Sequence, residues 1–151
     1  MFFERTYLFK GLSKEVLEEV AEALSEESFE EGTQIFKEGE PAQSLYVLVE
    51  GRVRLNIGGK GTVTKTVSSP GDAFGWSSLL HNERYTATAV PLVPARVQRI
   101  SGQAMNEIFN RHPDSGLIFY RRLARLIWQR LIESYRTLLT YDPEKRPLSF
   151  G

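Results

Sequence analysis

At 151 residues the chain fits one domain, and 41% hydrophobic with 25% charged residues is an ordinary globular composition that argues against disorder. The absence of cysteine excludes disulfides, thiol catalysis, iron–sulfur clusters and Cys-ligated zinc. Nineteen Lys+Arg balance nineteen Asp+Glu, so no global field draws the chain to nucleic acid or membrane.

That balance hides an asymmetry, because ten Glu fall within residues 11–40 and six Arg within residues 111–139. Solvated faces and acidic-on-basic docking of elements or subunits are both compatible with it. The start, MFFERTYLFKGL, has no long apolar h-region, and no apolar run approaches the roughly 18–20 residues of a membrane span. A cytoplasmic protein without membrane contact is the expectation.

The first predicted element is a short amphipathic helix. Ser13 is placed to cap a helix over residues 14–24, with Val16, Leu17, Val20, Ala21 and Leu24 on one stripe and Glu15, Glu18, Glu19 and Glu22 opposite. From Ser28 the period changes to two. Short runs punctuated by Gly, Pro, Asn and Asp predict eight strands, over residues 28–31, 33–37, 45–50, 52–57, 62–67, 73–74, 85–90 and 95–100. Val53, Leu55 and Ile57 alternate with Arg52, Arg54 and Asn56 as in a half-buried strand, and Gly58-Gly59-Lys60-Gly61 predicts a hairpin loop to the next. Many short strands with glycine turns predict a mainly β fold, an eight-stranded barrel or jelly roll with flanking helices.

The last third is predicted helical. Residues 101–110 place Met105, Ile108 and Phe109 on one side; Pro113 interrupts, and Asp114 or Ser115 caps a long helix to about Leu139. Its apolar residues, among them Leu117, Leu123, Ile127, Leu131 and Leu138, widen beyond one stripe, so it needs two partners: the β domain and a second helix. The reading is one domain over residues 1–139, a homodimerisation helix over about 115–139, and an extended or disordered tail over 140–151.

This element order resembles the cyclic-nucleotide-binding domain family. EGTQIFKEGEPAQSLYVLVEGRVRL is similar to its first half, with Gly32 and Gly39 at turns. PGDAFGWSSLLHNERYTATAV is similar to its phosphate-binding cassette: Gly71, Phe74-Gly75, a short helix, then Arg84 ahead of small residues. The resemblance implies a ligand site at Phe74, Gly75, Trp76, Ser77, Ser78, Arg84, Tyr85 and Thr86, with cyclic AMP or cyclic GMP as ligand and the long helix as lever and dimer interface. Gly75 permits a tight turn, a helix over about residues 76–80 presents unpaired N–H groups, and the Arg84 guanidinium forks onto phosphate oxygens.

The departure is Trp76, which stands where the family places an acidic residue that accepts from the ribose hydroxyl. Indole N–H is a donor only, so the lost acceptor costs roughly 1–3 kcal/mol. Another phosphorylated or carboxylated anion stays open as ligand. So does a ligand-free interaction module with Trp76 closing the pocket. No cofactor is required, and direct DNA binding is not expected. His81 and His112 stand apart, without metal-ligand spacing; His81 is the residue to test for haem. Ser77 or Ser78 with His81 lacks an orienting acid, and Asp72 reads as turn support rather than as an acid/base partner of Glu83, so no enzyme is expected.

Overall fold

The computed structural model describes residues 2–59 and 63–141. A single 3-10 turn, Phe3–Arg5, precedes α1 (Lys14–Ala23). Seven strands come next: β1 (Ser25–Phe29), β2 (Ser44–Glu50), β3 (Val53–Ile57), β4 (Val63–Val67), β5 (Ala73–Phe74), β6 (Thr88–Pro91) and β7 (Ala95–Ser101). Two helices end the described chain, α2 (Gly102–Arg111) and α3 (Pro113–Tyr141). The strands form two antiparallel sheets, one in the order β1-β7-β2-β5 and one in the order β4-β3-β6. The fold is a mainly β jelly roll flanked by a short N-terminal and a long C-terminal helix.

One sequence expectation holds to the residue: the Ser13 hydroxyl accepts from Val16 N at 3.3 Å and caps α1. Ser101, read as the first helical residue, instead caps α2, its hydroxyl accepting from Ala104 N at 3.0 Å. Others are corrected. Among the described residues there are seven strands rather than eight, and the two sheets do not close into a barrel. Residues 33–37 form one bridge, Phe36 to Ala89, because only Ile35 N and Phe36 O bond that strand. Residues 85–87 likewise stay outside β6; Tyr85 instead turns its ring inward.

The first strand begins earlier than its hydrophobic pattern suggests. Its acidic residues are partnered across the sheet: Arg96 bonds Glu26 at 2.6 Å and Arg99 bonds Glu27 at 2.7 Å. The expected break falls just before Pro113, since α2 ends at Arg111. Pro113 is itself the first residue of α3, ahead of the expected caps Asp114 and Ser115, as suits a residue with no N–H to bond, and the helix runs past Leu139 to Tyr141. Lys60, Gly61 and Thr62 of the predicted hairpin, and residues 142–151 of the predicted tail, lie outside the described residues. Among the described residues no helix is long and apolar enough to cross a membrane.

Strand β2 is buried on both faces, which is why its sequence is a continuous apolar run. Leu45 and Val47 face a helical core with Val16, Val20, Ile100, Met105, Phe109 and Phe119. Tyr46 and Leu48 face a sandwich core with Phe36, Val53, Phe74, Tyr85 and Val97. Helix α3 is seated by Phe119 and Leu123 in the helical core, and by Arg122, which donates to the Tyr7 carbonyl at 3.1 Å. The acidic-to-basic asymmetry has one direct expression here: Arg111 reaches Glu19 at 2.7 Å, tying α2 to α1, with His112 on the same carboxylate.

Candidate functional site

The predicted cassette begins at β5 and is set by three close approaches. Gly75 has φ of 81°, and a Cβ there would lie 2.8 Å from the Ser44 carbonyl oxygen, so its lack of a side chain serves both the turn and the seating. From Gly75 the chain enters a single 3-10 turn, Trp76–Leu79, shorter than the helix expected. Ser78 is buried, and its hydroxyl donates back to the Gly75 carbonyl at 2.7 Å. Beneath this turn lies Gly102, the first residue of α2, whose Cβ would fall 1.8 Å from the Ser78 carbonyl oxygen. Asp72 supports the preceding turn, accepting from Ser69 N at 3.3 Å.

The cassette walls a cavity of about 100 Å³. Of the sequence-predicted site residues, Gly75, Trp76, Ser77, Tyr85 and Thr86 line it together. Three do not. Phe74 is fully buried in the sandwich, stacked on Tyr46 at 5.3 Å between ring centroids, and Ser78 is committed to its own turn. Arg84 is the larger departure: its side chain is exposed, and its guanidinium donates to the Gly39 carbonyl at 2.8 Å instead of lining the cavity. The inward residue is its neighbour Tyr85, stacked on Phe36 at 3.8 Å and 13°. The Tyr85 hydroxyl donates to Ser44 O at 2.7 Å and accepts from Ser44 N at 3.0 Å. Burial raises the Tyr85 phenol pKa, against those backbone bonds to Ser44.

A cation is nonetheless present, supplied by another element. Arg130 of α3 lines the cavity, with its guanidinium carbon 4.1 Å from the Trp76 ring centroid. Trp76 is held by its indole N–H, which donates to the Ala73 carbonyl at 3.1 Å, and by packing against the helical core. Among the described residues the Arg130 guanidinium makes no hydrogen bond or ion pair. Burial lowers its pKa, and the charges of Asp72 and Glu133 oppose that fall. Trp76 and Arg130 also line a second cavity of about 190 Å³ on the side of Tyr7 and Lys65. Local sequence missed Arg130 because it lies far from the cassette in the chain. A signal was there, however: Phe119, Leu123, Leu126 and Arg130 succeed one another at helical spacing, so the arginine continues the core-facing line of α3.

The residues set aside in sequence stay apart from this site. His81 is exposed beside a polar groove that includes Asn82 and Asn106, and His112 is engaged with Glu19. Among the described residues no three metal-ligating side chains gather.

Comparison with known proteins places this architecture. The family model described as the cyclic nucleotide-binding domain matches residues 26–112. The Thermus thermophilus cyclic AMP receptor protein is 28% identical over 149 residues, covering 95% of this chain and 67% of that protein. A cAMP-dependent protein kinase regulatory subunit from Debaryomyces hansenii is 34% identical over 91 residues, covering 60% of this chain and 20% of that protein. The chain thus spans from a fifth to two thirds of the length of these curated relatives. Among solved structures, a Geobacter metallireducens protein named for cyclic nucleotide binding superposes with a TM-score of 0.73 at 33% identity, covering 83% of this chain and 92% of that one. A jelly roll with these flanking helices, a cassette of this form and a family match across both sheets lead to one assignment: the chain belongs to the cyclic nucleotide-binding domain family of regulatory modules.

Proposed function

We propose that the chain is a regulatory sensor in which an anion bound beside the cassette is reported through α3 to a second copy of the chain. The observation that carries this reading is Arg130. A half-buried guanidinium that makes no ion pair among the described residues, with Asp72 and Glu133 acting on it only at longer range, lines a cavity beside Ser77 and Thr86 and has N–H donors free for oxygen acceptors. Because it comes from α3 while the rest of the wall comes from the β domain, any ligand it holds joins the two parts. The relatives named for cyclic AMP support a ligand-responsive role for the same cassette.

The second copy is supported by the outer face of α3. Leu117, Trp128, Leu131 and Leu138 are exposed at 53%, 57%, 46% and 53%, on one 3–4 spaced seam with Ala124 and Tyr135. Such a seam buries itself by pairing two-fold with its own copy. Light scattering across micromolar concentrations should show a dimer that Leu131→Glu converts to monomer; a monomeric wild type removes this part of the proposal.

The ligand reading is tested on the intact chain with cyclic AMP, cyclic GMP, inorganic phosphate and acetate, by thermal melting and amide exchange. A true ligand at a hundredfold excess over its Kd stabilises by about 2.7 kcal/mol and slows exchange across residues 126–133. If all four compounds leave both measurements unchanged, the sensor reading fails. The chain is then a ligand-free interaction module whose cassette is closed by Trp76.

A further inference from the structure

Resting on that sensor reading, we infer that the ligand is a compact oxyanion, a phosphate- or carboxylate-sized group gripped by Arg130, and that the cavity excludes whole nucleotides. Volume is the first argument. The cavity holds about 100 Å³ and the adjoining hollow that shares Trp76 and Arg130 about 190 Å³, each below the roughly 300–1,000 Å³ that drug-sized ligands occupy.

The second argument is that the wall does not recede easily. Tyr85 stacks on Phe36 at 3.8 Å, and its hydroxyl is fastened to both backbone groups of Ser44. Phe36 is in turn backed by Tyr46 at 5.8 Å and Phe74 at 6.1 Å. Enlarging the hollow on that side means breaking two buried hydrogen bonds and opening an aromatic stack. The opposite side is Trp76 beneath Arg130, and moving it opens the space towards α3 instead.

Charge is the third argument. No carboxylate lines this cavity among the described residues; Asp72 and Glu133, whose charges reach Arg130, line the adjoining one. One guanidinium with the hydroxyls of Ser77 and Thr86 offers a planar fork and neutral donors, which suits an oxyanion. Arg84 does not line the cavity; its guanidinium is exposed and donates to the Gly39 carbonyl.

The experiment uses the two tryptophans. In a Trp128→Phe background Trp76 is the one remaining indole, so its fluorescence reports on the cavity. Phosphate and acetate are titrated against chloride at constant ionic strength, alongside cyclic AMP and cyclic GMP, with calorimetry on the wild type for stoichiometry. The expected result is a saturable response to phosphate or acetate and none to either cyclic nucleotide. Arg130→Gln should weaken it by about tenfold or more, Arg130→Lys by less, and Arg84→Ala by under about twofold. Melting curves establish that each variant folds. One-to-one binding of a cyclic nucleotide overturns this inference and leaves the sensor reading standing. Equal anion binding by folded Arg130→Gln overturns it as well, by moving the site elsewhere. Silence from all probes overturns both.

Discussion

The contact between Gly102 and Ser78 makes a sharp prediction, because two opposed effects act on one methyl group. Gly102 sits in the first turn of α2, with no positive φ, so Gly102→Ala carries no left-handed strain. On intrinsic helix propensity alone the substitution should stabilise by up to about 1 kcal/mol, less at a helix start. Against this, the new Cβ falls 1.8 Å from the Ser78 carbonyl oxygen and 2.7 Å from its carbon, which are backbone atoms and not the end of a flexible side chain. That oxygen must retreat by more than an ångström, either lifting the cassette turn or displacing α2, whose Gly102 N–H also bonds the Gln43 carbonyl at 2.8 Å. Overpacking of this kind costs about 1–3 kcal/mol, so the net expectation is a destabilisation of roughly 1–2 kcal/mol with an altered Trp76 emission. Urea unfolding of wild type and variant, tracked by circular dichroism and by fluorescence, measures both. An unfolding midpoint equal to or above the wild-type value would show that the cassette is not seated on α2 and would refute the reasoning.

The same geometry sets three further outcomes. Tyr85→Phe removes the group that satisfies Ser44 N and Ser44 O, so it should cost about 1–3 kcal/mol in urea unfolding; a neutral effect would mean that water replaces the hydroxyl. Burial, with Tyr85 alongside, pushes the Tyr46 phenol up to about 12 from an ordinary 10.0. A raised folded pKa means stability is full below about pH 10 and is lost as pH rises through about 12, by roughly 1.4 kcal/mol per unit; unfolding midpoints that stay level across that window would contradict it. The hydrogen bond from Arg111 holds the Glu19 carboxyl below its ordinary 4.5, against some desolvation and with help from the Arg111 charge and His112. Its contribution is present above pH 4.5 and lost as pH falls through the lower folded value, so Glu19→Gln should flatten the acid limb of the stability curve; superimposable limbs would rule this out.

The parts of the fold written in local pattern were legible, and those written in tertiary contact were not. The Ser13 cap and the alternation through Val53 and Leu55 carry their structure in a few neighbouring residues. Residues 33–37 alternate like a strand but reach only Ala89, and nothing local distinguishes a full ladder from one bridge. The candidate site shows the same division. The turn at Gly75 and the cavity-lining Trp76, Tyr85 and Thr86 are near one another in sequence, so local pattern reaches them. For the cation, local pattern points to Arg84, because proximity along the chain stands in for direction in space. Arg84 is in an extended bridge with Pro41, where successive side chains face opposite ways, and its neighbour Tyr85 takes the interior.

The two-sided burial of β2 bears on how this architecture changes over time. Leu45 and Val47 answer to the helices, while Tyr46 and Leu48 answer to the sandwich, so a single ribbon partitions the interior into two chambers with separate packing demands. Side chains on the sandwich side of the cavity can change without touching the core that seats α3, whereas Trp76 and Arg130 reach the same cavity from the helical side and bind recognition to output.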